Sequence, residues 1–223
     1  MDRYELKDGR IVKIDGSGKE TVVFDIDVLI GFFGSIYTAA GINLLPNFSQ
    51  VFRRIWTANQ KEILEAVFAK GFDLFILGLP IHLWRNNIET MLQDYKLTYH
   101  GFEPEQIWET MTDVQSHIVL LHSEPDMRNV PLLNKTIGRS AWPAIPNNER
   151  LTLYDYFVFH RIGRANHPDR FCSTYLPGSM VGKEILCGNW IGGKGGELNM
   201  RLVNPFHYDP TIGCRLSQYF LLK

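Results

Sequence analysis

Cysteine is scarce in this sequence, with three residues in 223. Their number is odd and no Cys-x-x-Cys spacing occurs, so neither a disulfide framework nor a structural zinc site is expected. No run of about eighteen apolar residues is present, which argues against a membrane-spanning helix. The first residues, Met1 to Glu5, lack the apolar run of a secretion signal, and we therefore expect a cytoplasmic protein. The cysteines are Cys172, Cys187 and Cys214.

A dominant charge of one sign is also missing. There are 23 basic and 24 acidic residues, and the formal net charge is −1. The molecule as a whole therefore has no field that attracts nucleic acid or an anionic membrane, and such a partner needs a local patch. Hydrophobic residues make up 45% and charged residues 21%, which is typical of a folded globular chain and not of a disordered one.

Strand and helix patterns alternate through the first two thirds of the chain. Residues 4–14 and 21–24 have the pattern of two strands around a glycine-containing turn, and residues 21–30 are apolar on both faces apart from two aspartates, as in a central parallel strand. Further patterns predict helices over 47–70, 85–95 and 104–112, and strands over 72–79 and 117–121. Such alternation predicts a parallel sheet, hence an α/β fold.

The pattern changes near residue 143, where prolines and asparagines mark a boundary. Short strand-like runs follow at 154–159, 184–187, 198–203 and 218–222, separated by glycine, proline and asparagine. We therefore expect three parts. These are an N-terminal β-hairpin over 1–19, an α/β domain over 20–142 and a β-rich extension over 143–223 that packs against the domain.

An acidic pair, Asp25 and Asp27, follows the apolar run that begins at Thr21. Residues two apart on a strand point to the same side, so both carboxylates would converge above the sheet. Two close carboxylates stay ionised together only beside a compensating cation, and Mg²⁺ is the usual one. A purely structural alternative is that the pair caps or hydrogen-bonds a neighbouring loop.

The segment 21–30 resembles the first motif of the haloacid dehalogenase-like (HAD) superfamily, in which apolar residues lead into Asp-x-Asp. The resemblance covers about residues 20–142 and implies a Rossmann-like parallel-sheet core. It also implies that Asp25 is the nucleophile that accepts a phosphoryl group and that Asp27 is the acid/base. The segment 117–126 is similar to the acidic fourth motif of the family, which implies that Glu124 and Asp126 complete a magnesium site with the first pair.

Three positions depart from the family pattern. Gly78 lies where the family has a phosphate-binding Ser or Thr, and Gly101, with His100 beside it, lies where the family has a lysine. His122 lies where the fourth motif commonly has an acid. Loss of one group that stabilises transition-state charge costs about 10² to 10³ in rate. Phosphate binding near Gly78 would then depend on Lys96, His100 or Lys135 as substitutes.

These features support three functional hypotheses. The first is a divergent magnesium-dependent phosphohydrolase or phosphotransferase that acts on a phosphorylated small molecule or protein partner. The second is a catalytically inactive relative, a pseudoenzyme that serves as a binding or structural subunit. The third is a PIN-like metal-dependent nuclease, in which an aspartate at the end of the opening strand precedes an apolar pair such as Val28 and Leu29. That nuclease needs further acids, for which Glu62, Glu65 and Asp126 are candidates.

Overall fold

The computed structural model describes residues 2–92, 96–108, 114–124, 145–163, 169, 173–192, 196–204, 212–215 and 217–222. Within these ranges the chain forms three β-sheets, which we call the N-terminal sheet, the central sheet and the mixed sheet. The helices and longer strands in chain order are β1 Arg3–Lys7, β2 Arg10–Ile14, β3 Glu20–Asp25, α1 Ile26–Ala39, α2 Phe48–Lys70, β4 Leu74–Gly78, α3 Ile88–Leu92, β5 Lys96–His100, β6 His117–Leu121, α4 Leu153–Ile162, β7 Ser173–Val181, β8 Glu184–Ile191, β9 Glu197–Val203, β10 Ile212–Cys214 and β11 Ser217–Leu221.

The N-terminal sheet is an antiparallel meander of β1, β2 and β3. Asp8 and Gly9 connect the first two strands and have positive φ angles of 49° and 77°. Positive φ at both central residues is the requirement of the tight hairpin turn that Asp-Gly pairs favour. The prediction of one strand over 4–14 is therefore wrong, because this turn divides the interval into two strands.

The first helix begins directly after β3. Its buried residues, Ile26, Ile30, Phe33 and Tyr37, recur at the period of an α-helix and face the core. The prediction that the strand continues to residue 30 is therefore wrong. A short apolar run is compatible with both a buried strand and a buried helix, so the pattern alone does not separate them.

The second helix confirms the prediction over 47–70, since α2 covers nearly the same residues. Gly71 follows it with φ 67°, and its N–H donates to the carbonyl of Val67. Glycine adopts this left-handed conformation at low cost and ends the helix. The ring of Trp56 on α2 stacks on Phe24 of β3, with 4.3 Å between ring centroids. This contact joins the N-terminal sheet to the core.

The central sheet has the order β11-β6-β4, and both of its pairings are antiparallel. The predicted HAD-like parallel-sheet core is therefore wrong. Among the described strands, parallel pairing occurs only in the mixed sheet, between β5 and β9 and between β10 and β7. Alternation along a chain predicts parallel pairing only when successive strands join one sheet, and here β5, which comes between β4 and β6, joins the mixed sheet instead.

The mixed sheet has the order β10-β7-β8-β9-β5. The strands predicted over 184–187, 198–203 and 218–222 are confirmed as parts of β8, β9 and β11. The three-part domain division stays a prediction. Strands from both sides of residue 143 share sheets, because β5 belongs to the mixed sheet and β11 to the central sheet.

Helix α4 occupies the interval 154–159 that the sequence predicted as a strand, so that prediction is wrong. All residues from Leu153 to His160 are buried, which removes the polar and apolar alternation that marks a helix in a sequence. Thr152 caps the helix by accepting a hydrogen bond from the N–H of Asp155. Contacts of α4 with α3, β4 and β7 place it against both the central and the mixed sheet.

The two remaining helix predictions correspond to shorter elements. The interval 85–95 contains a 3₁₀ turn at Arg85–Asn87 followed by α3. The interval 104–112 contains a 3₁₀ turn at Pro104–Gln106, and residues 109–113 lie outside the described part of the chain. None of the described helices combines the length and the apolar character that crossing a membrane requires.

Substitution of Gly78 by alanine is expected to destabilise the fold. The added Cβ would lie 1.9 Å from Nε2 of His117, whose ring is 2% exposed. Overpacking of this kind costs about 1–3 kcal/mol. Urea denaturation of Gly78→Ala should therefore show a lower midpoint than the wild type.

Gly31 provides the matched control. It lies within α1, and a Cβ added there meets no atom within 4 Å. Because alanine favours a helix over glycine by about 1 kcal/mol, Gly31→Ala should be at least as stable as the wild type. Equal stability of Gly78→Ala and wild type would contradict the packing of His117 against β4.

Candidate functional site

The acidic pair lies at the start of α1 and not at the end of a parallel strand. Asp25 is the N-cap residue, and its Oδ1 accepts hydrogen bonds from the N–H groups of Asp27 and Val28 at 2.9 and 3.3 Å. Its Oδ2 lies 2.6 Å from Nε of Arg10. This geometry corresponds to the capping alternative that the sequence left open.

Asp27 lies in the first turn of α1, where a carboxylate interacts favourably with the helix dipole. Its side chain is 65% exposed, and Oδ1 lies 2.9 Å from Nε of Arg53. Each carboxylate of the pair therefore has an arginine as its cationic partner. An Asp-x-Asp sequence is thus also compatible with an N-cap residue followed by an acidic first helical turn.

The other two predicted metal ligands, Glu124 and Asp126, come much later in the sequence than this pair. Glu124 follows β6, and its backbone carbonyl accepts a hydrogen bond of 2.6 Å from Nη1 of Arg215. Asp126 lies outside the described residues. Within the described ranges, no three His, Cys, Asp or Glu side chains form a group that could hold a metal ion. Magnesium binding by Asp25, Asp27, Glu124 and Asp126 stays a prediction.

The predicted phosphate-binding residues are distributed over two sheets. Gly78 ends β4 of the central sheet, where the ring of His117 takes the space beside it. Lys96 and His100 are the first and last residues of β5, about 13 Å apart along an extended strand. The ring of His100 lies 2.8 Å from Oδ1 of Asn199. Lys135 lies outside the described residues, and phosphate binding by this set stays a prediction.

A cleft of about 590 Å³ lies beside β5, and we call it the β5 cleft. Its lining comes from the 3₁₀ turn at 85–87 with the start of α3, from residues 104–107, from β5 and from the amino-terminal end of α4. We call the part that β5 and α4 line the floor. The lining residues are Arg85, Asn86, Ile88, Glu89, Lys96, Leu97, Tyr99, Pro104, Glu105, Ile107, Leu153 and Tyr154.

The floor of the β5 cleft is apolar and aromatic. Tyr154 is 4% exposed and meets Trp84 edge to face, with 5.7 Å between ring centroids. Tyr99 meets Phe102 in the same way at 5.3 Å. Burial raises the pKa of the Tyr99 hydroxyl well above its ordinary value, and Tyr154 and Glu105 add to the effect. Tyr99 therefore stays a neutral donor and acceptor at physiological pH.

The rim of the β5 cleft has charges of both signs. Arg85 and Lys96 are exposed cations, and Glu89 and Glu105 are exposed anions. Lys96 also lies 3.8 Å from Glu197 of the neighbouring strand. Two positive and two negative side chains give no net preference for a cationic or an anionic ligand, whereas a ligand with both signs finds a partner for each.

A buried hydrogen-bond network holds the α4 side of the floor. The carboxylate of Asp155 accepts hydrogen bonds from Nε2 of His117 at 3.0 Å, from the Tyr219 hydroxyl at 2.8 Å and from the Thr152 hydroxyl at 2.9 Å. Nδ1 of His117 lies 2.9 Å from the carbonyl of Gln115. Both ring nitrogens thus lie within hydrogen-bond distance of an oxygen, and His117 forms a buried pair with Asp155.

A second buried network anchors the remainder of α4. Asp169 lies 2.7 Å from Nη2 of Arg215, and it accepts hydrogen bonds from Tyr156 at 2.8 Å and Thr174 at 2.7 Å. The guanidinium of Arg215 also lies 4.3 Å from the ring centroid of Phe159. Tyr156 and Phe159 belong to α4, so the two buried networks contact both the start and the middle of this helix. Leu153 and Tyr154 of the cleft belong to its first turn.

No protein-family model, curated protein or solved structure matches this chain at a significant level.

Most of the cleft residues were not among the candidates from the sequence. Lys96 is the exception, although it was predicted to bind phosphate. Tyr99 and Tyr154 lie 55 positions apart and meet only in the folded chain. The one local signal is the spacing of Thr152 and Asp155, a polar cap followed three residues later by an acid, which is typical of a helix start.

Substitution of Asp25 tests the capping role. Asp25→Ala removes the acceptor for two helix N–H groups and should lower the free energy of unfolding by about 1 kcal/mol. Asp25→Asn keeps a good N-cap residue and should cost less. Chemical denaturation of both variants, with Asp27→Asn as an exposed control, measures the difference. Stabilisation by Asp25→Ala would instead indicate a repelling carboxylate pair.

Stability of the protein should depend on the titration of Asp155. Burial raises the pKa of its carboxyl, but His117 and the hydrogen bonds from His117, Tyr219 and Thr152 lower it more, so the net pKa lies below its ordinary value. Since the pKa in the unfolded chain is about 3.9, the stabilisation is fully present above that pH and is lost as the pH falls through the lower folded pKa.

Tyr219→Phe tests this linkage without removing the ion pair. The variant loses a donor to Asp155 and an acceptor for the N–H of Thr152, which should cost about 1–3 kcal/mol at pH 7. Its folded Asp155 pKa moves toward the unfolded value, so the difference from wild type should shrink below about pH 4. Unfolding free energies measured from pH 7 to pH 3 check this. A difference that stays constant across the range would exclude the hydrogen bond from Tyr219 as a cause of the low pKa.

Proposed function

We propose that this protein is a binding protein and that the β5 cleft is its ligand site. The observation that supports the proposal most directly is the composition of the cleft, an aromatic and apolar floor beneath a rim with charges of both signs. Its volume of about 590 Å³ lies in the range of pockets that bind small or segmental ligands. The proposal follows the binding-subunit hypothesis from the sequence, without its HAD-like fold.

Preorganisation also supports a binding role. Leu153 and Tyr154 of the floor belong to the first turn of α4, whose N-cap hydrogen-bonds to the buried Asp155. The backbone N–H of Leu153 donates to the Ser179 hydroxyl of β7 at 2.8 Å. A floor that is held in place before binding loses little conformational entropy when a ligand arrives.

The phosphohydrolase, phosphotransferase and nuclease hypotheses depend on Asp25. Its engagement by Arg10 and by two helix N–H groups favours a structural role over that of a nucleophile. The arginines that pair with Asp25 and Asp27 also supply the positive charge that a metal would otherwise provide. These observations make ligand binding the preferred proposal over phosphoryl transfer.

The proposed place of action is the cytoplasm. Cys187 and Cys214 are both buried and free of disulfide bonds. Burial raises the pKa of each thiol to about 12, so both remain protonated and unreactive. Buried free thiols are in keeping with a reducing compartment.

The proposal is tested with a panel of amino acids, dipeptides, nucleosides and monosaccharides, followed by backbone-amide NMR on the full chain. We expect at least one class to shift amide resonances that belong to the cleft lining. Ile88→Lys places a charged chain in the half-buried wall and should weaken that binding at least tenfold. Ile191→Lys is the matched control, since Ile191 is 53% exposed on β8 and does not line the cleft.

Absence of any shift at the cleft, or equal binding by wild type and Ile88→Lys, would contradict the proposal. Hydrolysis of p-nitrophenyl phosphate with millimolar Mg²⁺ is measured on the same samples. Activity that Asp25→Asn abolishes would support the phosphohydrolase hypothesis instead.

A further inference from the structure

We propose that the ligand of the β5 cleft is an extended peptide segment that adds as a strand to β5, on the edge that has no partner strand among the described residues. This inference rests on the binding function proposed above and specifies its ligand class. In the described part of the chain β5 is the terminal strand of the mixed sheet, with β9 on one side only. A terminal strand presents a row of backbone N–H and C=O groups that a further strand can pair with.

The direction of the backbone groups shows which residues form this edge. The N–H of Lys96 donates to the carbonyl of Gly196, which precedes β9, so Lys96 faces the mixed sheet. Backbone groups of successive strand residues point alternately to the two sides. Thr98 and His100 therefore face β9 as well, and Leu97 and Tyr99 direct their N–H and C=O groups to the free edge.

The β5 cleft lies along that same edge. Leu97 and Tyr99 both line it, whereas its lining includes no residue of β9. The lining also includes the 3₁₀ turn at 85–87 and the start of α3, so the cleft has both an edge strand and a short helical segment among its walls. This is the arrangement in which an extended peptide pairs with a strand while its alternate side chains contact the helix.

The charges of the cleft are complementary to a peptide with both signs. Lys96 lies at the amino end of β5, Glu105 lies in the 3₁₀ turn at Pro104–Gln106, and both line the cleft. A matching segment therefore has an acidic residue for Lys96 and a basic residue for Glu105.

The apolar lining predicts an apolar residue in the same segment. Leu97, Ile107 and Leu153 all line the cleft. Burial of one aliphatic or aromatic side chain there gains about 1.5–3 kcal/mol of hydrophobic free energy. The predicted motif is an acidic, an apolar and a basic residue within one extended segment.

A random decapeptide library displayed on phage provides the probe, selected against the full chain. Enriched peptides are synthesised, and their binding is measured by calorimetry and by backbone-amide NMR. We expect enrichment of the acidic, apolar and basic motif, and chemical-shift changes at Leu97 and Tyr99. Lys96→Glu and Glu105→Lys should each select peptides with the opposite charge at one position, whereas Lys183→Glu, in the β7–β8 turn, should leave the motif unchanged.

An N-methyl scan of the selected peptide tests strand addition directly. Methylation removes one backbone donor of the peptide without altering the protein. Because only alternate residues of an added strand bond to the neighbouring strand, methylation at alternate positions should weaken binding at least tenfold, and methylation at the intervening positions should have a smaller effect. A uniform response along the peptide, or shifts away from β5, overturns the inference.

The outcomes separate this inference from the proposal on which it rests. If small molecules of the panel occupy the cleft but no selected peptide binds there, strand addition is wrong and the binding function stands. If neither panel compounds nor peptides shift the cleft resonances, both are wrong.

Discussion

The buried carboxylate of Asp155 connects α4 to two strands of the central sheet. His117 reaches it from β6 and Tyr219 from β11, while Thr152 brings the helix cap to the same oxygens. Burial of an isolated carboxylate costs several kcal/mol because the carboxylate loses its water. A buried Asp155 therefore requires hydrogen-bond partners such as these and fixes their positions. The ring of His117 in turn occupies the space where a side chain at position 78 would begin, and glycine there is a consequence of the same network.

Helix α4 connects the Asp155 network to the mixed sheet. Its middle is held by the second ion pair, Asp169 with Arg215, to which Tyr156 donates a hydrogen bond. The loop before it packs so closely that a Cβ on Gly178 of β7 would lie 2.6 Å from the carbonyl of Arg150. A helix that is buried on all sides cannot shift without breaking such contacts, since protein interiors are close-packed. The cleft at its amino end therefore has a fixed floor and exposed, adaptable charges at its rim.

The acidic pair shows that one short motif, Asp-x-Asp, is compatible with two different local structures. On a parallel strand, carboxylates two residues apart face one crevice and need a cation. At the start of a helix, Asp25 instead caps backbone N–H groups and Asp27 lies near the positive end of the helix dipole. Arg10 and Arg53 then neutralise them at the protein surface. The sequence alone does not distinguish these two cases, because both place acidic residues directly after an apolar run.

Local sequence determined the elements whose signals are local. The apolar periodicity of α2 and the glycine that ends it, the apolar runs of β4 and β6, and the strands β8, β9 and β11 all follow from residues that lie close together in the chain. Tertiary structure decided whether short apolar runs became helix or strand. The run that opens α1 is compatible with either element, and burial of α4 from Leu153 to His160 removes the periodic pattern that separates the two. It also decided the sheet order, the Asp155 network and the β5 cleft, because these depend on contacts between residues that are distant in the sequence. His117 and Tyr219, for example, lie more than a hundred positions apart and meet only after the chain has folded.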